Sequence, residues 1–385
     1  MPLAAGEIRS VLERYPKGPV IATVGSHSAL DVADGASTEG FPTLVLAQKG
    51  REATYSRYFR TVRGPDGTRL RGCVDEVWTY ARFQDVVEPQ HQERLRAKGA
   101  LLVPNRALSS YVPLPAIEEE LKVPLVGSRS MLRIEERTER ENYYALLEEA
   151  GIPSPKKVPS PDAIDRLAIV KLPHATRRLE RGFFTAASPA EYREKSERLI
   201  ARGSITPADL ETARIEEYVL GPVFNFNFFF SPLLPREEGL ELLGIDERRE
   251  SDLDGVVRLP AGQQLELGDA ARIPQYTVVG HGSLTVRESI LEEAFRIGEK
   301  FVDAARRRYP PGIIGPFCLQ SCLDRDGRPV VFDVAARIGG GTNVHLSVGH
   351  PYGNSLYRTP MSSGRRIALE VRRAIDTGRL GEIVT

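Results

Sequence analysis

Gly315-Pro316-Phe317-Cys318-Leu319-Gln320-Ser321-Cys322-Leu323 runs into a turn at residues 324–328 and returns as Pro329-Val330-Val331-Phe332-Asp333-Val334-Ala335. Ala336-Arg337-Ile338 and then Gly339-Gly340-Gly341-Thr342-Asn343 follow. Two apolar runs parted by a short polar turn read as a β-hairpin. Each strand carries a polar side chain with a carbonyl or carboxylate oxygen, Gln320 on the first and Asp333 on the second. Two such groups on paired strands can offer oxygen ligands to a hard cation such as Mg2+, which is usually shared with substrate phosphates. Three consecutive glycines let the backbone come close to an anion. Asp333 taken alone reads equally as a strand-end cap, so the signal lies in the whole run.

Moving outward from this hairpin, residues 288–308 read as a long helix and 364–377 as a closing one. Upstream the pattern is strongly β, with strands expected at 214–219, 223–230, 241–246 and 255–259. A helix at 189–202 and a strand at 168–172 precede them, and a Pro-rich connector spans 153–161. A charged helix is expected over 133–150, stopped by Gly151 and Pro153. The first 125 residues alternate between the two element types. Apolar runs at 19–24, 43–47, 73–78 and 100–103 are separated by helical patterns, the first beginning near His27, and by an exposed turn at 64–67. Continuous apolar strands with helices between them imply a parallel sheet covered on both faces. An open sheet of this kind binds ligands beyond the C-terminal ends of its strands.

At 385 residues the chain is too long for one core and suits two or three subdomains. Lys+Arg and Asp+Glu both stand at 52, so charge gives no reason to expect nucleic acid or an acidic membrane surface as partner. No apolar run approaches the roughly 20 residues that span a bilayer. The first 16 residues read as a short charged helix, not a signal peptide. Cys73, Cys318 and Cys322 have no metal-ligand spacing, and Cys318 and Cys322 share one strand face. They read as reduced core thiols, which implies a cytoplasmic protein.

Lys171 ends the apolar strand Ile169-Val170-Lys171-Leu172, where an ammonium must reach solvent or a negative group. It can hold nucleotide phosphates, or simply snorkel to the surface. Arg214-Ile215-Glu216-Glu217-Tyr218-Val219-Leu220-Gly221 can present backbone groups to an adenine edge and a carboxylate to a ribose; a solvated edge strand would look the same. His27, between Ser26 and Ser28 at the first strand-to-helix turn, can meet an anionic or polar substrate beside free helix N-terminal amides, or be incidental to a helix-capping serine. No Ser/His/Asp or Cys/His nucleophile pattern appears, so covalent catalysis has no support.

These segments, with Ile21-Ala22-Thr23-Val24-Gly25-Ser26-His27-Ser28, Gln48-Lys49-Gly50-Arg51, Leu242-Leu243-Gly244-Ile245-Asp246 and Asp254-Gly255-Val256-Val257-Arg258-Leu259-Pro260-Ala261, resemble the archaeal PurP family of formate-dependent purine synthetases. The resemblance spans residues 19 to 378. It implies an ATP-grasp fold of mixed α/β and α+β class, with a Rossmann-like parallel-sheet domain at 1–125, a central lobe at 126–213 and a C-terminal lobe at 214–385. It implies ATP with Mg2+ (or Mn2+), and a ligase that formylates the amine of an aminoimidazole carboxamide ribotide (AICAR) through formyl phosphate in purine biosynthesis. By position, Lys171 and Arg337 would serve catalysis, and Lys171, Glu216, Glu217 and Val219 the nucleotide. His27, Ala107 and Asp252 would meet the substrate, and Gln320 and Asp333 the metal. A homo-oligomer is implied as well. Several positions depart from the family pattern. Ala107 stands where a Ser is usual, Asp252 for Asn and Asp333 for Glu; residues 174–182 replace a glycine-rich phosphate loop, and residues 131–150 lack the lysine common at the entry to the central lobe. Arg106, Arg177 and Arg178 can take over phosphate contacts. The departures keep two alternatives open: a related carboxylate–amine ligase with another substrate, or a nucleotide-binding protein without catalysis.

Overall fold

Four apolar runs build the expected parallel sheet in a computed structural model that describes residues 3, 5–16, 18–137, 139, 141–172, 183–268 and 277–385. They are β1 (Val20–Val24), β2 (Thr43–Gln48), β5 (Glu76–Tyr80) and β6 (Ala100–Val103), in the order β5-β2-β1-β6. All five residues of β1 are buried, as a strand covered on both faces requires. The turn at 64–67 joins the outlying hairpin β3 (Val62–Arg63) and β4 (Arg69–Arg71). The strand expected at 73–78 starts three residues later. Cys73 and Val74 give their N–H groups to Phe59 O, and the Asp75 carboxylate takes the Thr43 N–H at 3.1 Å, so pairing with β2 begins only beyond them.

A smaller antiparallel sheet, ordered β8-β7-β9, joins β7 (Ala168–Lys171), β8 (Phe183–Ala186) and β9 (Arg214–Glu217). The helix Pro189–Ala201 covers it, placing Tyr192 and Leu199 on Val170, Phe184 and Ile215. β9, which begins just after the boundary expected at 213, pairs with β7 in this sheet. The helix expected over 133–150 is two pieces, a 3-10 turn Ser130–Glu135 and a helix Tyr143–Glu149. Asn142 explains the break: its side chain accepts the Tyr144 N–H at 3.0 Å and starts a new helix there.

The largest sheet, β12-β11-β10-β13-β14, is antiparallel: β10 (Val223–Phe230), β11 (Leu240–Glu250), β12 (Val278–Leu284), β13 (Gly315–Leu323) and β14 (Pro329–Ala335). The helix Glu288–Arg308 packs on one face, where the Phe301 and Phe317 rings lie 5.3 Å apart and Phe228 and Phe317 5.1 Å apart. Burying each such ring contributes about 1.5–3 kcal/mol. Alternation along β10 sends Phe226 and Phe228 into that core and leaves Asn225 and Asn227 on the opposite face. The strand expected at 255–259 does not exist. β11 runs on to Glu250, whose N–H is taken by the Asp254 carboxylate at 2.5 Å, and the chain turns into the short helix Ser251–Val256.

The three bodies meet through close backbone contacts. The helix Ala29–Thr38 crosses the last helix, Ser363–Asp376, where a Cβ on Gly364 would lie 2.0 Å from Asp31 O. Leu125 and Thr385 exchange backbone hydrogen bonds of 3.1 and 2.9 Å. All three cysteines are free and buried, and among the described residues no helix is long and apolar enough to cross a membrane.

Candidate active site

A cleft of about 940 Å3 lies between the small sheet and the large one, lined by Ile169, Lys171, Glu216, Val219, Phe332 and Asp333 among others. The Lys171 ammonium, 5% exposed, sits 2.6 Å from the Glu216 carboxylate and donates to the Tyr144 hydroxyl and to Phe332 O, each at 3.0 Å. Burial pushes its pKa down to about 8, against the pull of Glu216. Glu216 is wholly buried and also meets Arg214 Nε at 2.5 Å. The two cations compensate its charge, as a carboxylate at zero exposure requires. Glu217 takes the Lys156 N–H at 3.0 Å. Largely apolar walls with a few placed charged groups have the composition of a small-molecule site.

A second, more polar cleft of about 920 Å3 adjoins the first along Phe183, Arg248 and Glu250, which line both. His27, Arg106, Asn225, Asp246, His281, Gln320 and Arg337 point into it, with Gly339, Gly340 and Gly341. Its floor follows a transverse row of the large sheet, where Asp246 pairs with Asn225 and Asn225 with Gln320; the row continues from Gln320 to Asp333, beyond this cleft. A bulge in β14 at Phe332 turns both Phe332 and Asp333 towards the nucleotide-sized cleft. Gln320 and Asp333 are therefore direct neighbours, although Gln320 lines the polar cleft and Asp333 the other. Each is held by an arginine: Gln320 Oε1 accepts from Arg248, and Asp333 Oδ2 lies 3.8 Å from Arg137 Nη2. An amide and a carboxylate on neighbouring strand positions are ligand types that Mg2+ takes when it is bound jointly with phosphates. Among the described residues no group of three His, Cys, Asp or Glu is arranged to hold a metal unaided.

The walls are fixed from several elements. Glu135, on the turn Ser130–Glu135, lies 3.4 Å from Arg337 Nη2 and 3.7 Å from Arg106 Nη1, and takes the Ala336 N–H at 3.0 Å. Ser28, held in a left-handed conformation at φ 66°, donates its hydroxyl to Gly339 O and ties the first domain to the glycine run. His281 is driven down to about 4 by burial and by the nearby Arg248 and His27, so it stays neutral at physiological pH.

The structure thus gathers Lys171, Glu216, Glu217, Val219 and Asp333 around one cleft, and His27, Gln320 and Arg337 around its neighbour. Two expected substrate contacts fall elsewhere. Ala107 is 1% exposed, in the core beneath its helix, where Asn105 caps the turn; it is Arg106, one residue earlier, that reaches the cleft. Asp252 lies on the helix Ser251–Val256 and lines neither cleft, its neighbours Glu250 and Leu253 doing so instead. Sequence reasoning names Arg106 as one of three arginines able to meet phosphate, and misses Asn225, Asp246, Arg248 and His281. The alternations Asn225-Phe226-Asn227-Phe228 and Asp246-Glu247-Arg248-Arg249-Glu250 carried the signal for three of them. The substituted loop at 174–182 falls outside the described residues.

Two family models match, "Protein of unknown function (DUF1246)" over residues 21–158 and "Domain of unknown function (DUF1297)" over residues 191–385. The chain is 42% identical over 384 residues to the 5-formaminoimidazole-4-carboxamide-1-(beta)-D-ribofuranosyl 5'-monophosphate synthetase of Methanopyrus kandleri, covering all of both chains. It is 38% identical over 384 residues to the protein of that name in Methanocaldococcus jannaschii, again over the full length of each. Among solved structures, the IMP biosynthesis protein PurP from Thermococcus kodakaraensis aligns with a TM-score of 0.69 and 30% identity, over 95% of this chain and 100% of that one. The N5-carboxyaminoimidazole synthetase from Staphylococcus aureus complexed with ADP aligns at 0.59 and 12% identity, over 93% and 78%, and shares the fold. Kinship along the whole length, on one ATP-grasp architecture, makes this chain a member of the PurP family of synthetases.

Proposed function

We propose that this protein is the ATP- and formate-dependent ligase that formylates the amine of AICAR. The observation that carries this reading is the meeting of two clefts at the Gln320–Asp333 pair, one walled for a nucleotide and one rich in cationic and amide groups. Phosphoryl transfer to formate followed by formyl transfer to an amine needs such a junction, where the acyl phosphate made at one cleft meets the acceptor in the other.

In this reading the adenine lies against Ile169, Val219 and Phe332, with Glu216 and Glu217 at its polar edges and the Lys171 ammonium reaching the phosphates. A formate oxygen attacks the γ-phosphorus, ADP leaves, and formyl phosphate remains. The amine of the ribotide then attacks the formyl carbon; phosphate departs, and the nitrogen sheds a proton to give the formamido product. Gln320 and Asp333 would hold Mg2+, which supplies charge neutralisation on the phosphates when bound. Arg337 and Arg106, clamped by Glu135, face the polar cleft, where planar guanidinium groups match phosphate or carboxylate oxygens. His27 stands beside Gly340 in the same cleft, as a substrate contact. The chemistry is carried by placement and charge compensation, with no protein nucleophile.

Ala107 and Asp252 would favour a different ligand if they touched it, but neither lines the clefts, which leaves AICAR as the preferred acceptor. Incubation with ATP, formate, Mg2+ and AICAR is expected to yield equimolar ADP and the formamido ribotide by chromatography. No turnover above blank across a range of temperatures would overturn the proposal.

A further inference from the structure

Asn225 occupies the middle of the transverse row under the polar cleft, 5% exposed, between Asp246 on β11 and Gln320 on β13. Its Nδ2 donates to Asp246 Oδ2 at 2.7 Å, and Asn227 Nδ2 donates to Asp246 Oδ1 at 2.6 Å. A carboxylate only accepts, so this pair of bonds settles which way the Asn225 amide is turned. The nitrogen is committed to Asp246, and Oδ1 is left buried without a hydrogen-bond partner, on a residue that lines the cleft. A buried acceptor of this kind is costly unless something donates to it. With the wholly buried Asp246 directly behind, the Asn225–Asp246 edge itself presents acceptors, and the nearest donors stand on its flanks, His281 Nε2 at 3.9 Å from Asp246 Oδ2 and Gln320 on the next strand.

We infer that Asn225 is a specificity-determining residue, whose Oδ1 receives an N–H of the acceptor ribotide's carboxamide and so discriminates against a carboxylate in that position. The inference rests on the function proposed above, and the row itself says which nitrogen is read. Asp333 and Gln320 mark the phosphate end, so the reacting amine belongs there. Asn225 is the next strand over from Gln320 and two from Asp333, roughly 5 and 10 Å away at ordinary strand spacing. The group on the adjacent ring carbon, the carboxamide, therefore extends to Asn225. A carboxylate in its place brings a third acceptor against Asn225 Oδ1 and Asp246, with no proton to share.

The test is isothermal titration of the full chain with AICAR and with its 4-carboxylate analogue, using wild type, Asn225→Leu and Asn225→Ala, with ATP titrated in parallel. Wild type is expected to prefer the carboxamide by at least about tenfold, since a site built to meet a donor rejects a ligand lacking it. Both variants are expected to bind AICAR about tenfold more weakly and to narrow the preference to about twofold, with ATP affinity unchanged. Variants that keep the wild-type preference overturn the inference. Loss of ATP affinity along with it makes Asn225 a purely structural support and overturns it equally. A wild-type protein that binds ATP but neither ribotide removes the proposed function itself, and this inference with it.

Discussion

Lys171 and Glu216 face each other diagonally across β7 and β9, 2.6 Å apart and both buried, on the wall of the nucleotide-sized cleft. The pair links titration, stability and ligand binding, and each link can be measured separately.

Burial holds the Lys171 pKa at about 8, below its ordinary 10.5. Between those values the unfolded chain binds the proton more readily than the folded one, so this group lets stability rise with pH across that window. Nucleotide affinity should move the opposite way, because a neutral amine cannot compensate phosphate. ATP affinity measured from pH 7 to 9.5 is expected to fall as pH passes about 8 in wild type. Lys171→Gln should bind weakly and show a flat profile.

Glu216→Gln leaves two cations, Lys171 and Arg214, without their shared carboxylate in a buried position. Breaking one side of such an assembly costs about 3 kcal/mol or more. Urea unfolding at pH 7 should register that loss. A change below about 0.5 kcal/mol would mean the group is solvated like a surface pair.

Asp333→Asn keeps the shape of the side chain and removes the charge next to Gln320. The Mg2+ concentration for half-maximal turnover is expected to rise at least about tenfold, as loss of a hard anionic ligand dictates. AICAR affinity without metal should stay as it was. Equal Mg2+ requirements in the two proteins would remove Asp333 from the metal site.

Gly364→Ala would drive a methyl group to within 2.0 Å of Asp31 O, where two helix backbones touch. Neither partner is a flexible side-chain end, so the helices must separate, at a cost of about 3 kcal/mol. Asp31 sits at that crossing, with burial raising its pKa to about 6 against the pull of Ser362, Thr342 and the Gly364 amide. Its contribution is complete below the unfolded carboxylate range and is lost as pH rises through about 6. Asp31→Asn should therefore flatten the stability–pH curve between pH 4 and 7, read from thermal melts.

Strands flanked by turn residues and covered on both faces could be read directly from the chain. β10, β13 and β14 and the helix Glu288–Arg308 have the bounds their apolar patterns imply. Reading fails where one polar side chain redirects the backbone. Asn142 cuts a helix in two, Asp254 converts the apolar stretch after Gly255 into helix and turn with Val257 63% exposed, and Asp75 delays β5. Lys171, Glu216 and His27 were recognisable because each sits at the end of a clear element. Asn225 and Asp246 were not. Their partnership depends on the pairing of β10 with β11, and a polar residue in a strand says nothing of its face until the register is known. The contact expected at Ala107 falls to Arg106, since a single step around a helix exchanges core for cleft.

The crossing of Gly364 over Asp31, the Ser28 tether and the Leu125–Thr385 exchange bind the first domain to the C-terminal part of the chain that carries the large sheet. The small sheet stands across the cleft, and the chain enters and leaves it near residues 153–158 and 217–223. Lys171 bridges the two, paired with Glu216 on its own sheet and bonded to Phe332 O on the other. A ligand in the cleft between them is therefore met by Lys171 and Glu216 from one side and by Phe332 and Asp333 from the other, and neither sheet alone completes its walls.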